Sequence, residues 1–280
     1  MQMKLAFTTL GCPDWALPRI IECAAECGYD GIDLRGLAGE MAVYKLPEFS
    51  TDTAETKRKI ADAGLKVSCF SSGVQIYSTA NFEKNAAEIA AYAKLCAEFD
   101  TPYIRVFGGK IGDTPRDQAV QTAAGHLRKL AATAKEHGVT LLLETHDDWT
   151  SCDHVRQVME AADSDAVGVL WDVHHPYRML GEQPEHSWAT FGKWVKYTHV
   201  KDSRLNGASS EGQAAKGGEP SFTYCLTGEG DIPLKRIVDV LRQGGYDGYY
   251  TLEWEKKWHP EIPEADIAFP QYARFMRELG

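Results

Sequence analysis

Two hydrophobic rhythms alternate along the chain. Short apolar runs bounded by Gly, Asp or Pro recur from end to end, and between them lie longer stretches with apolar residues three and four apart. The first rhythm belongs to buried strands and the second to amphipathic helices. The runs predict strands at Lys4–Leu10, Gly31–Leu34, Leu65–Phe70, Tyr103–Phe107, Thr140–Glu144, Val167–Asp172, Val195–Val200 and Tyr249–Trp254. Helical stretches separate them: from Pro13 to a stop at Gly28, Pro47–Ala63, Asn81–Phe99, Pro115–His137, from Pro233 to Gly244, and Glu264–Leu279. Eight strands alternating with helices predict an α/β fold, a (β/α)8 TIM barrel forming a single domain over residues 1–280. One segment breaks the rhythm. Residues 203–232, after the seventh strand, are rich in Gly, Ser and Glu without a period, and are expected to form a long loop on the catalytic face, where it would serve as a lid.

A parallel barrel carries its reactive groups at the C-terminal ends of its strands. The fifth strand ends in Glu144 and His146, the sixth in Asp172, His174 and His175, the seventh in His199 and Lys201, and the eighth in Glu253 and Glu255. Glu144, Asp172 and His199 follow one another at intervals of about one strand–helix unit, and Glu253 comes after one unit plus the long loop. Three carboxylates and an imidazole at matching depths predict a site for one divalent ion. Such a donor set suits Mn²⁺, Mg²⁺, Co²⁺ or Fe²⁺ better than a thiolate-rich zinc site would. By the two-residue period of a strand, His146 lies on the side of Glu144 and Lys201 on the side of His199, so both are candidate substrate contacts. Arg105 is a third, because a charge within a barrel strand needs a partner. His174 points the other way, and Asp202 is the expected orienter of His199. Phe107, Trp171 and Trp254 are candidates to stack on a bound ring.

Composition narrows the partners. A formal charge of -10 argues against nucleic acid or an anionic membrane surface. The seven cysteines form no CxxC pair and fit reduced, buried thiols. The opening MQMKLAFTTLG is too short in apolar residues for a secretory signal, and no run approaches the ~18 apolar residues of a membrane span, so a cytoplasmic location is expected. No glycine-rich phosphate cradle stands out beyond Gly108–Gly109, which favours a small-molecule partner without a phosphate.

The segments LLLETH, WDVHH, THVKD, TGEGDIP and GYDGYYTLEWE, together with the four-residue ligand set, resemble the xylose-isomerase-like TIM-barrel superfamily. The resemblance covers nearly the whole chain and implies a small-molecule sugar or cyclitol as partner, a neutral one where no phosphate cradle is present. It implies that Glu144, Asp172, His199 and Glu253 bind one metal ion, Mn²⁺ first, with Mg²⁺, Co²⁺, Fe²⁺ or Zn²⁺ as alternatives. It implies further that His175 and Arg204 occupy positions which contact substrate oxygens, and that the barrel forms a homodimer. The reaction it points to is isomerisation or epimerisation of a ketose or keto-sugar through an enediolate, with Glu144 and Glu253 as the acid–base pair and His175 assisting. Dehydration of an inosose or keto-sugar by the same residues is the alternative. The DNA-repair branch, an AP endonuclease, fits less well: strands three and four carry Cys69, Ser71, Phe107, Gly108 and Gly109 where that branch has extra histidine ligands.

Overall fold

In the computed structural model of the chain, residues 2–206 and 220–280 are described. Eight strands close into a parallel barrel: β1 (Lys4–Thr8), β2 (Gly31–Leu34), β3 (Lys66–Gln75), β4 (Tyr103–Phe107), β5 (Thr140–Glu144), β6 (Val167–Asp172), β7 (Val195–Val200) and β10 (Tyr249–Leu252). Around the ring they run β1–β10–β7–β6–β5–β4–β3–β2, so the four strands expected to supply the ligand set are consecutive neighbours. Nine helices accompany them among the described residues: α1 (Leu17–Glu26), α2 (Thr53–Asp62), α3 (Phe82–Phe99), α4 (Arg116–Lys135), α5 (Cys152–Ala162), α6 (His174–Leu180), α7 (Pro184–Phe191), α8 (Leu234–Gln243) and α9 (Ala265–Leu279). None of them is long and apolar enough to cross a membrane.

Strand alternation divides the core into two parts. Leu141, Leu143, Val169, Trp171, Tyr250, Leu252 and Trp254 belong to the large cluster formed with the helices. Their neighbours Leu142, Leu170, Tyr197 and, from β3, Cys69 form a small cluster of their own inside the ring, flanked by Tyr103 and Tyr249. This plug fills the barrel beneath the strand ends. Trp171 and Trp254 therefore cannot stack on a substrate in the mouth: Trp171 packs at 5.8 Å between ring centroids against Phe191, and Trp254 Nε1 donates to Pro263 O.

Element boundaries differ from the hydrophobic pattern where side chains redirect the backbone. β1 stops at Thr8 because Thr9 turns away, its hydroxyl donating to Gly36 O and accepting the Arg35 N–H. β3 runs on to Gln75 through an irregularity between Ser71 and Gln75. After β6 a helix begins at once, since Asp172 Oδ1 accepts the N–H groups of both His174 and His175. The Gly108–Gly109 pair makes room for an indole: a Cβ at Gly108 would lie 1.8 Å from Trp149 Cδ1.

The segment after β7 is not wholly irregular. Its ends pair as an antiparallel ribbon of β8 (Asp202–Leu205) and β9 (Phe222–Cys225), with Asp202 opposite Cys225 and Leu205 opposite Phe222. Residues 207–219, the middle of the expected lid, lie outside the described residues. Asp202 buckles the ribbon to the chain beyond it. Its carboxylate accepts the N–H groups of Ser203, Gly228, Gly230 and Ile232 at 2.9, 2.8, 3.0 and 3.2 Å. A Cβ at Gly230 would stand 2.1 Å from Asp202 Oδ1, so the buckle requires glycine there. Asp202→Ala leaves these buried donors unpaired and is expected to lower the unfolding free energy by ~2–4 kcal/mol, measured by urea denaturation. A loss well under ~1 kcal/mol would show that water replaces the carboxylate without cost.

Candidate functional site

The four predicted ligands meet. Glu144 at the end of β5, Asp172 at the end of β6, His199 on β7 and Glu253 just beyond β10 are all buried, and one donor atom from each lies within 4.8 Å of the other three. Register explains the meeting: Asp172 pairs with His199, and His199 with Thr251 two residues before Glu253. His199 Nδ1 is 3.0 Å from Glu144 Oε1 and 3.2 Å from Glu253 Oε1. Lys201 Nζ completes the polar cluster, 2.9 Å from Asp172 Oδ2 and 2.5 Å from both Glu253 Oε2 and Glu255 Oε1.

Charges this close determine one another's protonation. Burial alone would lower the His199 pKa, but Glu253, Glu144 and Asp33 outweigh it and hold the imidazole well above its usual range. Burial would likewise lower Lys201, yet Asp172, Glu253 and Glu255 keep its ammonium charged. Desolvation raises Asp172 despite the opposing Lys201. Glu144 ends below the usual carboxylate range because Arg105 and His199 overcome burial and the repulsion of Glu253. The set fits a divalent cation: Glu144 and Glu253 converge on His199 Nδ1, Asp172 offers a further carboxylate oxygen within 4.8 Å of the other donors, and Glu144 Oε2 is buried with no hydrogen-bond partner.

The remaining predicted contacts divide into two groups. His175, His146 and Arg105 line one side of the mouth with Phe107. His146 lies 4.7 Å from the Phe107 ring and 4.9 Å from the His175 ring, and Arg105 Cζ lies 3.7 Å from the Phe107 centroid. His175 Nδ1 donates to Thr145 O at 2.8 Å, which leaves Nε2 as an acceptor. Arg204 belongs to the other group. Its side chain is 58% exposed and its Nε donates to Glu229 O, so it stands on the outer side of the ribbon, away from the cluster. Burial along the ribbon does not alternate: Asp202 and Ser203 are both buried, held by the backbone donors and by Arg178 and His174, and Arg204 is the first residue to face solvent. His174 is buried with Nε2 2.8 Å from Ser203 Oγ, tying α6 to the ribbon.

Asp33, not Asp202, orients His199. Its Oδ2 is 3.0 Å from His199 Nε2, fixing the ring so that Nδ1 faces the carboxylates. The rule that singled out Arg105, a charge inside a barrel strand, applies equally to the aspartate of GIDL and would have found it. Tyr224 was illegible from sequence, since it reaches Glu255 Oε1 at 3.1 Å only through the pairing of β8 with β9.

The family described as xylose isomerase-like TIM barrel matches residues 21–279. A 3-dehydroshikimate dehydratase of Bacillus anthracis is 25% identical over 255 residues, 84% of either chain. An inosose dehydratase of Clostridium perfringens is 27% identical over 168 residues, 57% of this chain and 53% of that one. The crystal structure of 3-keto-D-glucoside 4-epimerase from E. coli has the same fold, with a TM-score of 0.74 at 16% identity over 99% of both chains.

A cation entering the cluster must displace the proton held on His199 Nδ1. Because that imidazole titrates well above its usual range, metal affinity is expected to rise with pH across neutrality, checked by titrating metal-stripped protein against a competing chelator. In the same titration Asp33→Asn is expected to weaken binding ~10–100-fold. Affinity that is flat with pH, or unaffected by the substitution, would count against these assignments.

Proposed function

Since the chain belongs to the xylose isomerase-like TIM barrel family, we propose that it is a divalent-metal-dependent lyase that removes water from a hydroxyketone through an enolate. The observation that carries this reading is the convergence of Glu144, Asp172, His199 and Glu253 within 4.8 Å in a buried mouth. When bound there, a divalent ion supplies positive charge against the negative charge that grows on a carbonyl oxygen as its neighbouring carbon loses a proton. Mn²⁺ is the ion we assign, on the oxygen-rich donor set.

The protein's own groups handle the protons. One carboxylate of the Glu144–Glu253 pair takes the proton from the carbon beside the carbonyl. The carbon–oxygen bond at the next carbon then breaks, and the departing hydroxyl receives that proton and leaves as water, which restores the carboxylate. His175 accepts a substrate hydroxyl through Nε2, because its Nδ1 hydrogen is committed to Thr145 O. Donation from Nε2 would require protonation that burial disfavours. His146 and Phe107 wall the substrate on the same side.

The family resemblance put isomerisation or epimerisation first, and the two dehydratases named above weigh towards elimination. Epimerisation keeps one specific argument. Glu144 and Glu253 reach the same imidazole nitrogen from non-adjacent strands, an arrangement that can take a proton from one face of a planar intermediate and return it to the other. Incubating the Mn²⁺-loaded protein in D₂O with cyclic hydroxyketones separates the readings. Loss of water with an ultraviolet-absorbing enone product is expected, whereas deuterium uptake into an intact carbon skeleton would establish epimerisation instead. Glu144→Gln and Glu253→Gln are each expected to lower kcat/KM by ~100-fold or more, and undiminished turnover by either would remove it from the acid–base pair.

A further inference from the structure

Arg105 is more buried than its known contacts justify. Its side chain has no exposure, yet none of its three guanidinium nitrogens has a hydrogen-bond partner. The carboxylate beside it, Glu144, stands 3.3 Å from Nε out of hydrogen-bonding alignment. A guanidinium carries five N–H donors in a planar fork, and burying that fork unfilled is costly. Stacking on Phe107 at 3.7 Å holds the plane of the group but satisfies none of its donors.

A second guanidinium borders the same ring. Arg35 stands just past the end of β2, and its Cζ lies 5.9 Å from the Phe107 centroid. Its backbone is pinned, with the N–H donated to Thr9 Oγ1. Among the described residues its side chain makes no ion pair or hydrogen bond. Burial and the nearby Arg105 pull it down to about 10, so it remains charged at neutral pH beside another cation. Once a divalent ion takes up the charge of Glu144, two guanidiniums at one side of the mouth lack an anion.

We propose that Arg105 and Arg35 form a carboxylate-binding subsite next to the metal-ligand cluster, and that the substrate is an acidic hydroxyketone, in place of the neutral sugar or cyclitol read from the sequence. The proposal rests on the reading above that the reacting oxygens sit at the cluster. Because Arg105 touches Glu144, an anion on its fork lies within the span of one small molecule from those oxygens. A carboxylate suits the site better than a phosphate. The fork is planar and enclosed, and the nearby Gly108 accommodates the Trp149 indole and offers no cradle for a phosphate.

The test compares two probes that differ by the carboxylate alone. Calorimetric titration of the Mn²⁺-loaded protein with 3,4-dihydroxybenzoate and with catechol is expected to give about tenfold or more tighter binding of the acid, as a charge-assisted fork would. Arg105→Gln and Arg35→Gln should each erase that preference, and Arg35→Gln should do so without changing metal content. Arg35→Gln, at a half-buried position, keeps the test valid if the Arg105 variant folds poorly. Equal affinity for the two probes in the unsubstituted protein, or a preference that survives both substitutions, overturns the proposal. Catechol binding without any preference for the acid would sink the subsite alone, and failure of both probes to bind would sink the metal-centred reading with it.

Discussion

The structure depends on holding unlike charges at close quarters away from water. Three carboxylates, an imidazole and an ammonium crowd the mouth of a closed barrel, and Arg105 stands at the edge. At low effective dielectric each of these charges would be intolerable alone and is tolerable only with its neighbours in place. That mutual dependence gives the strand ends their exacting register, because a slip of one residue in β6 or β7 would turn Asp172 or His199 out of the ring. It also accounts for the supporting cast: Asp33 behind His199, Glu255 behind Lys201, and Thr145 O behind His175.

Much of this could be read from the chain because it follows from periodicity. A strand in a parallel barrel puts every second residue inside, so the spacing of Glu144, Asp172 and His199 sufficed to predict that they converge. The same rule placed His146 and Lys201 on the correct side. What stayed hidden depends on contacts that no local pattern encodes. Arg204 looked like a neighbour of His199 because the two are close in sequence, but between them the chain leaves the barrel and enters an antiparallel ribbon, where inward and outward are set by a different partner strand. Asp202 misled for the same reason, since its carboxylate serves four backbone donors far along the chain. Helices α6 and α7, between β6 and β7, escaped the hydrophobic pattern as well: each is barely two turns long, too short to display a clear period.

The ribbon of β8 and β9 is coupled to the cluster. Phe222 and Tyr224 pack against His174 at 5.0 and 5.5 Å between ring centroids, and the Tyr224 hydroxyl meets the same Glu255 that pairs with Lys201. Since Lys201 also contacts Asp172 and Glu253, a displacement of β9 is transmitted through two side chains to the candidate metal ligands.

The plug of Leu142, Leu170, Tyr197 and Cys69 separates two regions that answer to different demands. Beneath it the barrel has only to remain folded; above it, side chains at strand tips face whatever enters. A lineage built on this scaffold can thus acquire a new appetite by rewriting the tips while its foundation stays unaltered.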